Sequence, residues 1–282
     1  MKIYAVVVTY NPEPELLDKQ YQSLVPQVDK IVYIDNASSN GRPYIEKGCH
    51  KAEFIVNCEN MGLGYAQNQG IRVAVEEGAD FVILFDQDSV PSDGLVGELY
   101  SVYNEAQKDM KVALTGPAIM NAYSDNTALE PGVLLKKNGT VARIPLKRIT
   151  RVSYCIASGS FIPVKVLDEV GYIQERLFVD ALDLEWCLRA QSRGYSIVQT
   201  NSAYIMHRLG NGSNDKILSH TPQREYFIVR NNIWLSRQPY IPAGYRCRKR
   251  LSTIYRLLCS LVRGKGDYLK KQLKGVADGI RL

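Results

Sequence analysis

The feature that most constrains the fold is a run of five apolar residues, 81–85, that leads directly into Asp86, Gln87 and Asp88. A continuous apolar run with aromatic and β-branched members predicts a strand that is buried on both faces. Asp86 and Asp88 would then lie at the carboxyl end of a central strand, where open α/β sheets bind their ligands. Carboxylates at positions i and i+2 point to the same side of a regular strand and can share a divalent cation. The alternative is a polar turn with both carboxylates in solvent.

Strand and helix patterns alternate over the first 120 residues. We predict strands at 3–8, 30–34, 53–56, 81–85 and 112–119, and helices at 13–24, from about 60, and at 92–107. Ser89 and Pro91 predict the cap and first turn of the last of these helices. This alternation predicts an α/β fold with a parallel sheet, whose polar loops gather at one edge. A dinucleotide-binding fingerprint, Gly-x-Gly-x-x-Gly, starting at Gly62 and Gly64 would need a third glycine where this chain has Gln67. This difference argues against a dinucleotide-binding domain.

Charge is distributed unevenly along the 282 residues. Residues 237–282 contain twelve Lys or Arg and two Asp, whereas residues 1–236 contain 23 basic and 27 acidic residues. Within this basic tail, apolar residues recur on one helical face at Leu251, Ile254, Tyr255, Leu258 and Val262. A basic amphipathic helix predicts peripheral contact with an anionic membrane. The alternatives are a helix that packs on the core and a homodimer contact.

Other general features narrow the class of protein. The tail has no evident array of stacking residues, which argues against nucleic-acid binding. The six cysteines form no Cys-x-x-Cys pair, and Met1 runs directly into a strand. No apolar run approaches the roughly 20 residues needed to cross a bilayer. These features predict free thiols and a cytoplasmic protein.

Four motifs between Thr9 and Asp88 form a characteristic set. They are Thr9-Tyr10-Asn11, Asp35-Asn36-x-Ser38, Asn60-x-Gly62-x-Gly64-x-Ala66-x-Asn68-x-Gly70 and Asp86-Gln87-Asp88. On these motifs the chain resembles the inverting, metal-dependent family 2 glycosyltransferases, and most of all the bacterial rhamnosyltransferases of polysaccharide assembly. The resemblance implies a GT-A type nucleotide-diphospho-sugar transferase fold, a Rossmann-like mixed sheet flanked by helices, over residues 1–236. Residues 1 to about 120 would bind the nucleotide-sugar, residues 121–236 would form the acceptor side, and residues 237–282 would form the basic helical extension.

The resemblance also implies roles for individual residues. Thr9 and Tyr10 would line the base and ribose pocket, and Asp35 would accept the ring N–H of a pyrimidine base. Asp88 would ligate a Mg²⁺ or Mn²⁺ ion that bridges the diphosphate, with Asp86 near the ribose and that ion. The nucleotide-binding residues implied in this way are Thr9, Tyr10, Asn11, Asp35, Asn36, Asn60, Gly62, Asn68, Asp86 and Gln87.

Two further acidic residues and one histidine are candidates for the chemistry. The resemblance implies that Asp183, near the start of a predicted helix, is the general base that takes the acceptor hydroxyl proton. Asp180 is the alternative base, because Leu182 stands where the family more often has an acidic residue; a simple helix cap is another alternative. His207 follows an apolar run and would complete the metal shell or approach the diphosphate, unless it is structural. The small residues of 156–161 resemble the segment beneath the donor sugar.

Together these features predict a glycosyltransferase. The resemblance implies transfer of L-rhamnose from dTDP-rhamnose, or of another sugar from a UDP-sugar, to a glycan or lipid-linked acceptor. It also implies a single displacement with inversion at the anomeric carbon and a site at the inner face of the plasma membrane. One alternative is a nucleotidyltransferase, which would release pyrophosphate. The other is a non-catalytic, membrane-associated scaffold.

Overall fold

The computed structural model describes residues 1–40, 51–121, 129–207 and 220–282. Its strands are β1 (Ile3–Thr9), β2 (Lys30–Asp35), β3 (Ala52–Val56), β4 (Phe81–Asp86), β5 (Ser89–Pro91), β6 (Val112–Asn121), β7 (Gly132–Leu135), β8 (Val141–Ile144), β9 (Thr150–Val152), β10 (Ser160–Pro163) and β11 (Ser196–His207). Its helices are α1 (Pro14–Leu24), α2 (Leu63–Glu76), α3 (Leu95–Ala106), α4 (Val164–Val170), α5 (Leu182–Ser192), α6 (Pro222–Leu235), α7 (Ala243–Val262) and α8 (Gly266–Arg281), with a 3-10 turn at Glu175–Leu177. A loop that the sequence predicts at 210–215 lies outside the described residues.

Nine strands form one mixed sheet in the order β3-β2-β1-β4-β10-β6-β11-β5, and β9 also pairs with β11. Strands β1 to β4 run parallel to one another, as do β6 and β11. Strand β10 runs antiparallel between β4 and β6, and β5 runs antiparallel to β11. The predicted α/β fold is confirmed, and the antiparallel strands make the sheet mixed. Strands β7 and β8 form a separate hairpin.

Strands β1 and β4 are buried on both faces, as their continuous apolar runs predict. Val6 and Leu84 belong to a core cluster on one side of the sheet, whereas Val7 and Phe85 belong to a cluster on the other side. Helix α2 contributes to the first cluster, and helices α1 and α3 contribute to the second. The two cores fix the position of β4, and therefore of the acidic residues at its carboxyl end.

The prediction of a helix cap at Ser89 and Pro91 is wrong. These residues form the short strand β5, which pairs with the end of β11, and helix α3 begins only at Leu95. Strand β5 lies at the edge of the sheet, where a proline's missing N–H is tolerated. Pairing with a strand more than 100 residues away therefore overrides the local helix-cap signal. The same pairing sets His207 opposite Ser89.

The C-terminal helices α7 and α8 pack on the rest of the protein. Gly275 and Gly279 of α8 bring its backbone against α6, and a Cβ on Gly275 would lie 2.7 Å from the carbonyl oxygen of Tyr226. The buried Glu225 of α6 accepts a hydrogen bond from Arg256 of α7 at 2.5 Å. The start of α7 contacts the turn of the β7–β8 hairpin. The two C-terminal helices are thus packed against α6 and the β7–β8 hairpin.

One face of the tail stays in solvent. The predicted apolar residues of α7 are 52 to 84% exposed, and Leu261, Leu273 and Ile280 join them. The exposed residues of the predicted face are Leu251, Ile254, Tyr255, Leu258 and Val262. Among the described residues, no helix is both long enough and apolar enough to span a bilayer.

Candidate active site

Three potential metal ligands converge at the turn between β4 and β5. Asp86, Asp88 and His207 each offer one ligand atom, and these atoms all lie within 4.8 Å of one another. His207 Nδ1 lies 3.4 Å from Asp88 Oδ1 and 2.7 Å from the hydroxyl oxygen of Ser89. Carboxylate oxygens are donors that Mg²⁺ and Mn²⁺ prefer, and an imidazole nitrogen is a common ligand of transition-metal ions such as Mn²⁺. The donor set therefore fits the predicted cation.

Buried polar side chains hold this turn in place. The Gln20 side-chain amide donates hydrogen bonds to the carbonyl oxygens of Asp86, at 2.7 Å, and Ser89, at 2.6 Å. The backbone N–H of Asp86 donates to the hydroxyl oxygen of Ser158 at 3.2 Å. The sequence analysis did not identify Gln20. The only sign of its role in the sequence is that a polar residue stands on the apolar face of α1. The turn is thus supported from two elements distant in sequence.

The electrostatics of the turn favour a cation. Burial raises the pKa of Asp86 to about 6, and repulsion by the carboxylates of Asp88 and Asp183 adds to this shift. His207 opposes it. A site that places several carboxylates together in a partly dry environment is stabilised when a cation compensates their charge.

A cavity of about 480 Å³ opens beside the acidic turn. Five of the predicted nucleotide-binding residues line it, namely Tyr10, Asn36, Asn60, Asp86 and Gln87. Its other walls come from Val8, Leu63, Phe178, Val179 and Arg224. This is the volume range of small-molecule sites, and the mixture of aromatic, amide and charged groups suits a nucleotide.

Hydrogen bonds fix the polar residues of this cavity. The Gln87 side chain accepts from the backbone N–H of Tyr10 at 2.7 Å and donates to its carbonyl at 3.2 Å. The Tyr10 ring is left half-exposed at the cavity. The side-chain amide of Asn36 donates to Asn60 Oδ1 at 2.9 Å, and Asn60 Oδ1 also accepts from the N–H of Gly62 at 3.0 Å. These contacts join the loops after β1 and β4 to each other, and likewise the loops after β2 and β3.

Thr9, Asn11 and Asp35 do not line the cavity. Asp35 is only 1% exposed, and its carboxylate accepts hydrogen bonds from the Thr9 hydroxyl at 3.2 Å and from the Ser38 N–H at 3.2 Å. Asn11 accepts from the backbone N–H of Ser39 at 2.7 Å. In this structure these residues join the loops after β1 and β2. A nucleotide base could therefore reach Asp35 only if the contact between Asp35 and Ser38 rearranged.

Asn68 and Gly62 have structural positions. Asn68 donates to the carbonyl of Ile173 at 2.9 Å and to Glu175 at 2.8 Å, and it lies away from the cavity. Gly62 has a φ of 87°, and a Cβ there would lie 2.6 Å from the ring of Phe178, a cavity residue. Glycine is therefore required at 62 both by backbone conformation and by close packing.

Asp183 follows a strained loop. Phe178, Asp180 and Ala181 all have positive φ values between 63° and 66°. Such strain persists where surrounding contacts over-determine it, often at functional sites. Here Asn231 of α6 donates hydrogen bonds to the carbonyls of Leu177, at 3.0 Å, and of Val179 and Asp180, at 2.7 and 3.1 Å. These hydrogen bonds from α6 hold the loop in place and so determine where α5 begins.

The two candidate bases differ in their surroundings. Asp180 forms an ion pair with Arg224 at 2.8 Å. Asp183 is half-buried, its Oδ1 accepts the backbone N–H of Leu184 at 2.7 Å, and burial raises its pKa to about 6. Among the described residues Asp183 has no arginine partner, and a carboxylate with a pKa of about 6 is better suited to accept a proton near neutral pH.

Residues that sequence reasoning missed surround Asp183. Lys249 of α7 lies within electrostatic reach of Asp180 and Asp183, and burial lowers its pKa to about 8. Its ammonium group stands 5.2 Å from the centre of the Tyr245 ring. Burial raises the pKa of Tyr154, and the nearby charge of Asp183 adds to this shift. The basic composition of the tail gave no sign that one of its lysines approaches the site.

The folds of known proteins match this architecture. The chain aligns over its full length with 81% of residues 1–349 of S. aureus TarS, solved in complex with UDP-GlcNAc, at a TM-score of 0.62 and 15% identity. It aligns over 89% of its length with GalNAc-T7, solved with UDP, GalNAc and Mn²⁺, at a TM-score of 0.60 and 15% identity. It spans 54% of that second chain. The chain therefore has the GT-A type fold of these structures.

Sequence comparison specifies the family. The profile of Glycosyl transferase family 2 matches residues 4–171, and the chain belongs to this family of glycosyltransferases. It is 32% identical to the dTDP-rhamnosyl transferase RfbF of Shigella flexneri, over 99% of this chain and 95% of that protein. It is 22% identical to the low-salt glycan biosynthesis hexosyltransferase Agl10 of Haloferax volcanii, over 98% of this chain and 90% of that protein. The predicted family and enzyme class are confirmed.

Proposed function

We propose that this enzyme transfers L-rhamnose from dTDP-rhamnose to a glycan or lipid-linked saccharide in the assembly of a bacterial surface polysaccharide. The observation that carries the proposal is a 480 Å³ cavity with nucleotide-binding chemistry that ends at Asp86, beside the cluster of Asp86, Asp88 and His207. The choice of sugar and base is supported by 32% identity to a dTDP-rhamnosyl transferase over nearly the whole of both chains. A UDP-sugar is the second candidate donor.

Asp88 and His207, with Asp86 beside them, would hold a Mg²⁺ or Mn²⁺ ion. When bound, such an ion neutralises the diphosphate and stabilises it as a leaving group. Tyr10, Asn36, Asn60 and Gln87 would hold the nucleoside part of the donor in the cavity. Arg224 lines the same cavity and would balance the negative charge of the donor.

Asp183 would act as the general base. Its carboxylate takes the proton from an acceptor hydroxyl as that oxygen attacks the anomeric carbon of the sugar. The bond from that carbon to the diphosphate oxygen breaks, and the nucleoside diphosphate departs with the bonding pair. One displacement inverts the anomeric centre, so no second, nucleophilic carboxylate is required. The pairing of Asp180 with Arg224 supports Asp183 over Asp180.

Titration calorimetry tests the donor site. We expect dTDP to bind in the presence of Mn²⁺ and to lose most of its affinity in EDTA, because the ion that Asp88 would hold would compensate the charge of the diphosphate. UDP and GDP, measured in parallel, report on the base. Tighter binding of UDP than dTDP would contradict the choice of base. An absence of binding to all three nucleotides would contradict the whole donor site and favour a scaffold. Release of pyrophosphate during turnover would instead identify a nucleotidyltransferase.

We also propose that α7 and α8 contact the inner, cytoplasmic face of an anionic membrane, where a lipid-linked acceptor is presented. Eight of the fourteen large apolar side chains that are exposed in the described residues lie on these two helices, so the patch is concentrated there. Residues 243–282 carry eleven Lys or Arg and two Asp. An apolar face rimmed by cations matches an interfacial membrane helix.

Vesicle sedimentation tests this contact. We expect binding to vesicles that contain phosphatidylglycerol, and weak binding to phosphatidylcholine alone. Replacing both Ile254 and Leu258 by Glu should weaken binding at least about tenfold, since each side chain contributes on the order of 1.5 kcal/mol when it leaves water. The control is Val141→Glu, an exposed apolar residue of the β7–β8 hairpin. Equal binding of all three proteins, or a dimer that the double variant alone disrupts, would contradict the membrane proposal.

A further inference from the structure

Gln67 is a buried amide without a visible role in the fold. It lies on α2 and is 1% exposed, and neither its side-chain oxygen nor its nitrogen has a hydrogen-bond partner among the described residues. Buried polar groups are almost always satisfied, so an unsatisfied one requires an explanation. The neighbouring Asn68, by contrast, uses both ends of its amide to bind the segment before α5.

A small cavity joins Gln67 to Asp183. It has a volume of about 10 Å³ and lies between α2, α5 and the sheet. Gln67 and Asp183 line it together with Cys155, Cys187 and Ser160, and the rest of its wall is mainly apolar. The hydroxyl of Ser160 already donates to the carbonyl of Ile156 at 2.7 Å. A space of this size holds one water molecule if polar groups bind it, and Gln67 and Asp183 are the strongest such groups in the wall.

We propose that Gln67 is a positioning residue for the base, holding the Asp183 carboxylate through a water molecule enclosed in this cavity. The amide and its water support the carboxylate from beneath, while Leu184 N–H binds Oδ1. Asp183 is half-buried, and its exposed part would face the acceptor. This inference rests on the proposed role of Asp183 as base. It also gives a role to a buried amide whose oxygen and nitrogen have no partner among the described residues.

The expected consequence is a change in the acidity of the base. Without the amide, the carboxylate faces an apolar cavity, and its ionised form is less favoured. The other groups that influence Asp183 stay in place: Asp86 on β4, Asp180 before α5, Lys249 and Tyr245 on α7, Tyr154 after β9, and the thiols of Cys155 and Cys187. A shift in the titration of the base can therefore be assigned to Gln67.

Two substitutions separate positioning from packing. Gln67→Met keeps the volume and removes the amide, whereas Gln67→Asn keeps an amide and leaves room for a further water molecule. We expect the acid limb of the kcat/KM profile to move up by about one pH unit in Gln67→Met, with the melting temperature maintained or raised. Gln67→Asn should keep the wild-type acid limb, although its melting temperature falls. If Gln67 only fills space, Gln67→Asn should impair the enzyme more than Gln67→Met.

The control is Gln272→Met. Gln272 is also a fully buried glutamine with an unpartnered side-chain oxygen, but it lies on α8 and contacts Glu225. Its substitution should leave the acid limb where it is. An unchanged acid limb in Gln67→Met would overturn the inference, as would a shift of equal size in Gln67→Asn. Survival of transfer in Asp183→Asn would instead refute the assignment of the base, which is a separate result.

Discussion

Asp183→Asn is expected to reduce transfer by about 10³-fold, because the amide cannot accept the proton of the acceptor hydroxyl. Nucleotide binding should persist, since Asp183 does not line the 480 Å³ cavity. Thermal stability should be maintained at neutral pH, because the change removes a carboxylate whose ionisation is opposed by burial. The measurements are turnover of the donor in the presence of acceptor, calorimetric binding of dTDP, and the melting temperature.

The pH dependence of the wild-type enzyme gives a second readout of the same role. The pKa of Asp183 is raised to about 6, and only the ionised form can act as a base. Transfer should therefore be full above that pH and fall as the pH drops through about 6. The matched control is Asp180→Asn, which breaks an ion pair with Arg224 but leaves Asp183 intact. If Asp180→Asn loses transfer as completely as Asp183→Asn while both bind dTDP, Asp180 becomes the better candidate for the base.

Asp88→Ala should have an effect of similar size through a different step. Removal of this carboxylate takes away one of the three potential ligands in the cluster with Asp86 and His207. We expect dTDP affinity measured with Mn²⁺ to fall to the level seen with EDTA. Transfer should fall at least about 10³-fold, the effect of losing several kcal/mol of charge stabilisation at the leaving group.

Two comparisons make the Asp88 result specific. Asp93→Ala, at an exposed residue five positions further along, should leave metal-dependent binding unchanged. His207→Ala should have an intermediate effect, because it removes a neutral ligand and spares both carboxylates. Metal-dependent binding that survives in Asp88→Ala would contradict the assignment of this cluster as the cation site.

The C-terminal helices connect the two sides of the proposed function. The same α7 helix that exposes Ile254 and Leu258 also carries Lys249 towards Asp183. Its start contacts the β7–β8 hairpin, and α8 packs closely on α6, which holds the loop before Asp183. A membrane surface on this face would therefore lie against the helix that also carries Lys249 towards the proposed base, Asp183.

The sequence by itself determined the central part of the fold. Continuous apolar runs specify β1 and β4 as strands buried on both faces, and Asp86 and Asp88 follow at the strand end because the chain order requires it. The motif glycine Gly62 is also determined locally, since its positive φ admits few other residues. These features depend on periodicity and on backbone conformation, which are properties of short segments.

Only the tertiary structure decided which distant residues meet. Ser89 and Pro91 carry a helix-cap signal, but pairing with β11 makes them a strand and brings His207 to Asp88 across more than 100 residues. Asn68 belongs to a motif from which we predicted nucleotide binding, yet its amide is used to hold Ile173. Tertiary packing also brings Gln67 and Lys249 near Asp183. Long-range packing sets such contacts, because the free energy of closing the core exceeds local preferences and leaves no trace in the spacing of neighbouring residues.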